Sequence, residues 1–327
     1  MKVLKILYLL LGLGLLVWVF QGVDLAELWR VVSQVGWGIP VVLGLYFAAF
    51  LIDSYTWQLT LICVPLSARW LYRTWKVRMV GEVFNTVVPA GGMGGEPVKA
   101  VLLKKYYAIG YREGTASLIL AKTINMIALV IFLAGGFALM MSTDVLPVWY
   151  QVVGGAGLLA FGLAIALFFV IQRYKISSVT GNFVSRWPFA RGIEKILHHV
   201  EDMDGRLADF YTRHVGRLVL ATAFAWINWM LGVAEVYYAM MFLGHPITWA
   251  EAWIIEAAAQ LVRTGAFFIP AGIGAQEGVF LLVCSAVTGV PVLGVAVALV
   301  RRVRELTWLA WGSLLGAMYS MRSSVDQ

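Results

Sequence analysis

The stretch VVPAGGMGGEPVKA, residues 87–100, decides how this chain must fold. Within residues 89–98 it places four glycines, two prolines and a glutamate, between two hydrophobic runs. Pro89 and Pro97 each remove a backbone donor and the glycines cost backbone entropy, so no helix passes through this composition undisturbed. The surroundings make the break costly. Of 327 residues 61% are hydrophobic and 13% charged, with 14 tryptophans, and the mean hydropathy is +0.82. That composition belongs to an integral membrane protein and sets soluble classes aside. A break at membrane depth therefore needs a purpose.

Working outward, runs long enough to cross about 30 Å of hydrocarbon occur near 4–20, 39–63, 115–140, 149–171, 216–243 and 292–320. The first follows Lys2 and contains Lys5, like a signal peptide, but no small-residue cleavage site follows, so it is read as a retained span. Two further apolar regions, 72–109 and 250–289, are interrupted at their centres by Pro-Ala-Gly, so each half reads as too short to cross alone. Both read as re-entrant helical hairpins, tolerable only where the broken backbone is buried in protein or faces a watery cavity. The expected fold class is all-α: a polytopic membrane protein of about six spanning helices plus two re-entrant hairpins.

Lys and Arg set the orientation. Residues 64–78 hold Arg69, Arg73, Lys76 and Arg78, and 172–217 hold eight basic residues, whereas the opposite loops carry only Arg30. The basic segments, including the polar stretch 172–215, are assigned to the cytoplasm, and six crossings then leave both termini inside. The stretch after the first span, 24–36, has helical apolar spacing and reads as an interfacial helix. The net charge of +7 reports cytoplasmic loops and not nucleic acid. Cys63 and Cys284 lie in apolar runs and read as small buried hydrophobes. The four histidines lack zinc-site spacing, so no metal or cofactor is expected. Trp18, Trp37, Trp149 and Trp249 read as interface anchors.

The break occurs twice. Pro89-Ala90-Gly91 is followed by Glu96, and Pro270-Ala271-Gly272 by Glu277, each seven residues after its proline and 181 residues apart. Asp53 lies 36 residues before the first proline and Glu235 lies 35 before the second. Each hairpin is followed by a span with basic residues, Lys122 in one half and Arg301, Arg302 and Arg304 in the other. Three features in register indicate duplication, with halves 1–144 and 145–327. With the assigned orientation the hairpins enter from opposite faces, giving an inverted repeat of the kind used for alternating access. A half-helix starting near Gly95-Glu96-Pro97 would aim free N–H groups at the middle of the protein, where they can hold an anion.

At these residues the chain resembles the flippase-like family that includes the transmembrane part of lysylphosphatidylglycerol synthases and the hopanoid-biosynthesis-associated membrane proteins. The resemblance rests on Gly94-Gly95-Glu96-Pro97-Val98-Lys99-Ala100 and on the Pro-x-Gly-x-Gly-x-x-Glu-Gly pattern from Pro270 to Gly278, and it spans nearly the whole chain. It implies movement of a lipid or lipid-linked head group between leaflets. The chain departs from the family pattern at Ala121-Lys122, Asn125 and Gln276, which shifts the expected site toward cationic character. No aminoacyl-transferring domain is expected, since the chain ends seven residues after Ser320.

Ionisable groups inside apolar spans face cavities, ligands or one another. Lys122, about eight residues into its span and so roughly 12 Å deep, reads as a ligand or coupling group, or else as half of a structural pair. Arg263, seven residues before Pro270, carries the same alternatives. Arg301 and Glu305 are one turn apart and could satisfy each other, with Arg304 on that face and Arg302 about 100° away. Glu96 and Glu277 read either as first-turn acids complementing the helix dipole or as proton-coupling carboxylates. Asp53 and Glu235 could be fixed partners of Lys122 and Arg304. Pro89, Gly91, Gly92, Gly94, Gly95, Pro270, Gly272 and Gly274 are expected to shape the hairpin turns. The expected substrate site lies where the hairpin tips meet, with Lys122, Arg263, Arg304 and Arg302 beside Glu96, Glu277, Asp53 and Glu235.

Together these point to a non-enzymatic inner-membrane lipid transporter or flippase, for a hopanoid or anionic phospholipid. The expected partner is the membrane lipid, with lipid-biosynthesis enzymes as candidate protein partners and no nucleic acid. The alternatives are an intramembrane lipid-modifying transferase and a non-catalytic scaffold of a lipid-synthesis complex.

Overall fold

The computed structural model describes residues 30, 33–87, 94–143, 147–173, 205–266, 269 and 274–320. Among these, regular structure is entirely helical: α1 (Gly38–Thr60), α2 (Ala68–Val87), α3 (Glu96–Tyr107), α4 (Tyr111–Ser142), α5 (Val148–Arg173), α6 (205–213), α7 (Val215–Phe242), α8 (Trp249–Gly265), α9 (Ala275–Thr288) and α10 (Pro291–Ser320). The expected span 4–20, most of the interfacial helix 24–36 and most of the polar segment 172–215 lie outside the described residues, as do Pro89, Gly91, Gly92, Pro270 and Gly272.

Four helices are long and apolar enough to cross a membrane, α1, α4, α5 and α7, so the chain is a multi-pass membrane protein. Helix α10 is long, at 30 residues, but does not join them on composition because Arg301, Arg302, Arg304 and Glu305 sit in its middle. Its first half is packed inside the protein, with Val292 through Ala298 buried, so neighbouring helices and not lipid solvate its charges. Helix α5 is the opposite case. Val152, Val153, Leu159, Leu163 and Leu167 all stand on its outer surface, an apolar face that suits lipid contact. Trp37, Trp149 and Trp249 are exposed at helix ends, where indoles anchor at the membrane–water boundary.

Both broken regions form two helical arms that pack against each other, α2 with α3 and α8 with α9. The first arm is longer than expected. At 20 residues, α2 spans about 30 Å, so its polar composition and not its length sets it apart from the spans. Helix α8 begins with a capping box: Glu251 N–H donates to Thr248 Oγ1 at 3.2 Å while Thr248 N–H donates to Glu251 Oε2 at 2.6 Å. Cys284 is buried as expected, but Cys63 is exposed, because the chain turns between α1 and α2 just after Leu61.

The same order of elements occurs twice, a long helix, two arms and a long helix, as α1–α4 and as α7–α10. Packing between the two sets is reciprocal. Helix α1 packs on its counterpart α7, α10 packs on α2, and α4 packs on α8. The largest core cluster joins α4 to α7–α10 through Phe132, Met240, Ile255 and Phe280. A second ties α1–α3 to Trp308, Leu315 and Tyr319 of α10.

Candidate functional site

Two sets of ionisable side chains lie inside the bundle. The first comprises Asp53, Glu82 and Glu96 with Arg78, Lys99 and Lys122; the second comprises Glu235, Glu256, Glu277 and Glu305 with Arg263, Arg301, Arg302 and Arg304. Acids and bases balance in each. The cationic character expected from the sequence is therefore not a property of the whole region, and depends on which groups neutralise one another.

The second set is almost closed. Arg301 reaches Glu256 at 2.5 Å and Glu235 at 3.3 Å, and Arg304 also pairs with Glu235. Arg302 binds Glu277 at 2.6 Å and Glu305 at 2.7 Å. Gln260 Nε2 donates to Glu256 at 2.7 Å, and the Arg304 guanidinium stacks 3.9 Å from the Tyr46 ring centroid. Glu235, Glu256, Glu277, Arg301 and Arg304 are each no more than 4% exposed. Charges buried to that degree are tolerable only when paired and hydrogen-bonded. Glu277 combines two duties, since its Oε2 also accepts the Gly274 N–H at 2.7 Å. Gly274 takes φ +82° there, a conformation open to glycine at no steric cost.

Several pairings differ from the sequence expectation. Arg301 does not satisfy Glu305; it bridges Glu235 to Glu256 across α7 and α8. Arg302, about 100° away from Arg301 around the helix, closes onto both Glu277 and Glu305. Glu235 does partner Arg304, as expected. Asp53 does not partner Lys122: its carboxylate pairs with Arg78 and accepts from Asn125 Nδ2 at 3.0 Å. Arg78, assigned from sequence to a cytoplasmic loop, lies within α2 with its guanidinium 4.8 Å from the Phe50 ring centroid.

The first set is open. Lys99 binds Glu96 at 2.9 Å one turn into α3, so Glu96 acts as a paired first-turn acid. Asn85 ties the arms together, donating to Glu82 at 3.2 Å and accepting the Gly95 N–H at 2.7 Å. Gly95 is needed for that approach, because a Cβ there would stand 2.0 Å from the Gly81 carbonyl oxygen. Glu82 makes no ion pair within 4 Å among the described residues, and neither does Lys122 on α4 or Arg263 at the end of α8. Glu82 lies within electrostatic range of Arg78, Lys99 and Arg263, and Lys122 within range of Glu96, Lys99, Glu82 and Arg78. Glu82 and Lys122 are half-buried, and Arg263 is exposed.

Of the expected site residues, then, Lys122 and Arg263 stay available, while Asp53, Glu96, Glu235, Glu277, Arg302 and Arg304 are held in pairs. Sequence reasoning missed Arg78, Glu82 and Glu256. A signal for Glu82 was present: it lies seven residues before Pro89, as Arg263 lies seven before Pro270. The same seven-residue step before each Pro-Ala-Gly break thus holds a carboxylate in one place and a guanidinium in the other.

The chain matches the family described as lysylphosphatidylglycerol synthase TM region over residues 5–312, and it belongs to that family. It is also similar to the UPF0104 membrane protein PH1989 of Pyrococcus horikoshii, 25% identical over 258 residues that cover 75% of each chain. No solved structure matches.

Proposed function

We propose that this chain is a lipid transporter, and not an enzyme, which carries an anionic or polar head group between leaflets by alternating access while the apolar tail stays in lipid. One observation carries the reading. Among the described residues, the ionisable groups of the two sets that make no ion pair within 4 Å are two cations and one carboxylate, Lys122, Arg263 and Glu82, from α4, α8 and α2 of both halves. Two of the three are cations, which suits an anionic phosphate or carboxylate. Lys122, half-buried on α4 and without an ion pair among the described residues, is costly to keep, and a substrate that neutralises it offsets that cost.

The repeat supports the mechanism. Reciprocal packing, in which α10 meets α2 and α4 meets α8, is what a two-fold relation between halves 1–144 and 145–327 produces. Glu82 and Arg263, each seven residues before its proline, lie within electrostatic range of each other, as counterparts near such an axis would. Inverted-repeat transporters bind substrate at this interface and rock one half against the other. The orientation proposed from basic residues is inner membrane with both termini cytoplasmic. An Asp144→Cys probe should then be labelled from outside, and Arg186→Cys only after the inner face is opened. Labelling of both from one side would remove the inverted sense of the repeat.

The direct test is leaflet exchange in proteoliposomes that contain fluorescent phosphatidylglycerol or a hopanoid. Protein-dependent exchange that drops at least tenfold in Lys122→Ala and Arg263→Ala supports the reading. No protein-dependent movement of either lipid counts against it.

A further inference from the structure

The three leftover groups are not equivalent. Lys122 and Arg263 can hold an anion; Glu82, within electrostatic range of each, would repel it. The charges around Glu82 come from every neighbouring element: Arg78 on α2 itself, Lys99 on α3, Arg263 on α8, Lys122 on α4, with the Tyr46 phenol on α1. Helix α10, also packed on α2, brings Arg302, Arg304 and Glu305, already closed onto Glu277, Glu235 and one another. Arg78 is committed to Asp53 and Lys99 to Glu96. The cations that Glu82 shares with an incoming anion are therefore Lys122 and Arg263.

We propose that Glu82 is a proton-binding carboxylate that competes with the anionic head group for Lys122 and Arg263, so that each head group enters together with one proton. This rests on the lipid-transport reading and adds its coupling ion. In the empty site the ionised carboxylate balances the cations. When a head group takes them over, two anions face each other in a partly desolvated place, and ionised Glu82 is disfavoured. A proton from water on the side of entry then binds the carboxylate, and it leaves to water on the side of exit with the head group. A monoanion and a proton move together, so no net charge crosses. The sequence alone suggested Glu96 and Glu277 for such a role, but both are held by cations of their own.

Linkage makes the coupling measurable, since a proton that follows the anion must also tighten it. The test measures binding of dioctanoyl phosphatidylglycerol to the full chain in detergent from pH 5.5 to 8.5. It uses titration calorimetry in buffers of different ionisation enthalpy to count protons. The wild type should bind up to about tenfold tighter per pH unit as pH falls, the one-proton limit, and should take up close to one proton per lipid. Glu82→Gln should bind at the wild type's acid-limit affinity at every pH with no proton uptake, while Arg263→Ala and Lys122→Ala weaken binding throughout. Glycerol 3-phosphate should bind more weakly than the lipid, and equal binding would overturn a lipid as the source of the anion. Identical pH dependence in wild type and Glu82→Gln overturns the proton site and leaves the transport reading standing. No lipid binding by either protein, or binding indifferent to Arg263→Ala and Lys122→Ala, overturns both. Should Glu82→Gln fail to fold, the absence of proton uptake in the wild type alone refutes the proposal.

Discussion

Around α10 Arg301, Arg302 and Arg304 each close onto two acids, whereas on α2 and α4 a carboxylate, Glu82, and an ammonium, Lys122, make no ion pair among the described residues. Both sets carry balanced charge, so composition does not distinguish them. What differs is burial and geometry. Arg301 and Arg304 of the closed set are at most 4% exposed and draw their acids from two other helices, α7 and α8, and from Glu305 of α10 itself, a state that holds helices together. Lys122 of the open set is half-buried and Arg263, unpaired in the other set, is exposed; neither makes an ion pair within 4 Å among the described residues. The paired arginines work as an internal clamp, and these two cations take no part in it.

The largest expected effect is in the clamp. Arg301→Leu leaves Glu256 with only Gln260 and should lower stability by about 3–5 kcal/mol, read as loss of thermal unfolding temperature in detergent micelles. A melt like the wild type's would break the comparison, because Arg301 would then be no more structural than Lys122.

A matched pair of milder changes sharpens it. Asn125→Ala removes the amide bound to Asp53 and Gln260→Ala the amide bound to Glu256. Hydrogen bonds to charged groups contribute about 1.5–3 kcal/mol, and the deeper Gln260 site should lie at the upper end. Equal losses would show that burial does not separate the two sets.

Gly95→Ala should cost about 1–3 kcal/mol through overpacking, since the added Cβ meets the Gly81 carbonyl at 2.0 Å. Transport should fall with it, because the arms that place Glu82 are forced apart. Unchanged stability measured by the same melt would mean that the arms do not rely on this contact.

The smallest stability effect is expected where the transport effect is greatest. Arg263→Ala should change stability by no more than about 0.5 kcal/mol, and Lys122→Met should leave it unchanged or raise it, while leaflet exchange drops at least tenfold in both. A loss of stability comparable to that of Arg301→Leu would move these residues into the clamp.

Much of the architecture could be read from the chain. The two Pro-Ala-Gly breaks, the acid after each and the acid before each predicted two broken elements in a repeat, and two pairs of packed arms are present. The apolar runs located α1, α4, α5 and α7 within a few residues. Site residues were read less well, for a physical reason. An apolar span advertises any charge within it, so Lys122 and Arg304 stood out, whereas Arg78 and Glu82 lie in the first arm of the hairpin 72–109, where other charged residues surround them. Glu256, in the middle of α8, drew no notice because its cation is 45 residues away in sequence.

The sequence by itself determined that the chain is a membrane protein, where its helices break and that the break is repeated, because hydropathy, proline and glycine act on the backbone within a few residues. Only the tertiary structure decided which charges neutralise one another. Each of the strongest pairs joins residues far apart in sequence, Asp53 to Arg78, Glu256 to Arg301 and Glu235 to Arg304. A buried charge takes whichever partner packing places within 4 Å, and among the described residues packing leaves Glu82, Lys122 and Arg263 without one, which is why the proposed transport is assigned to them.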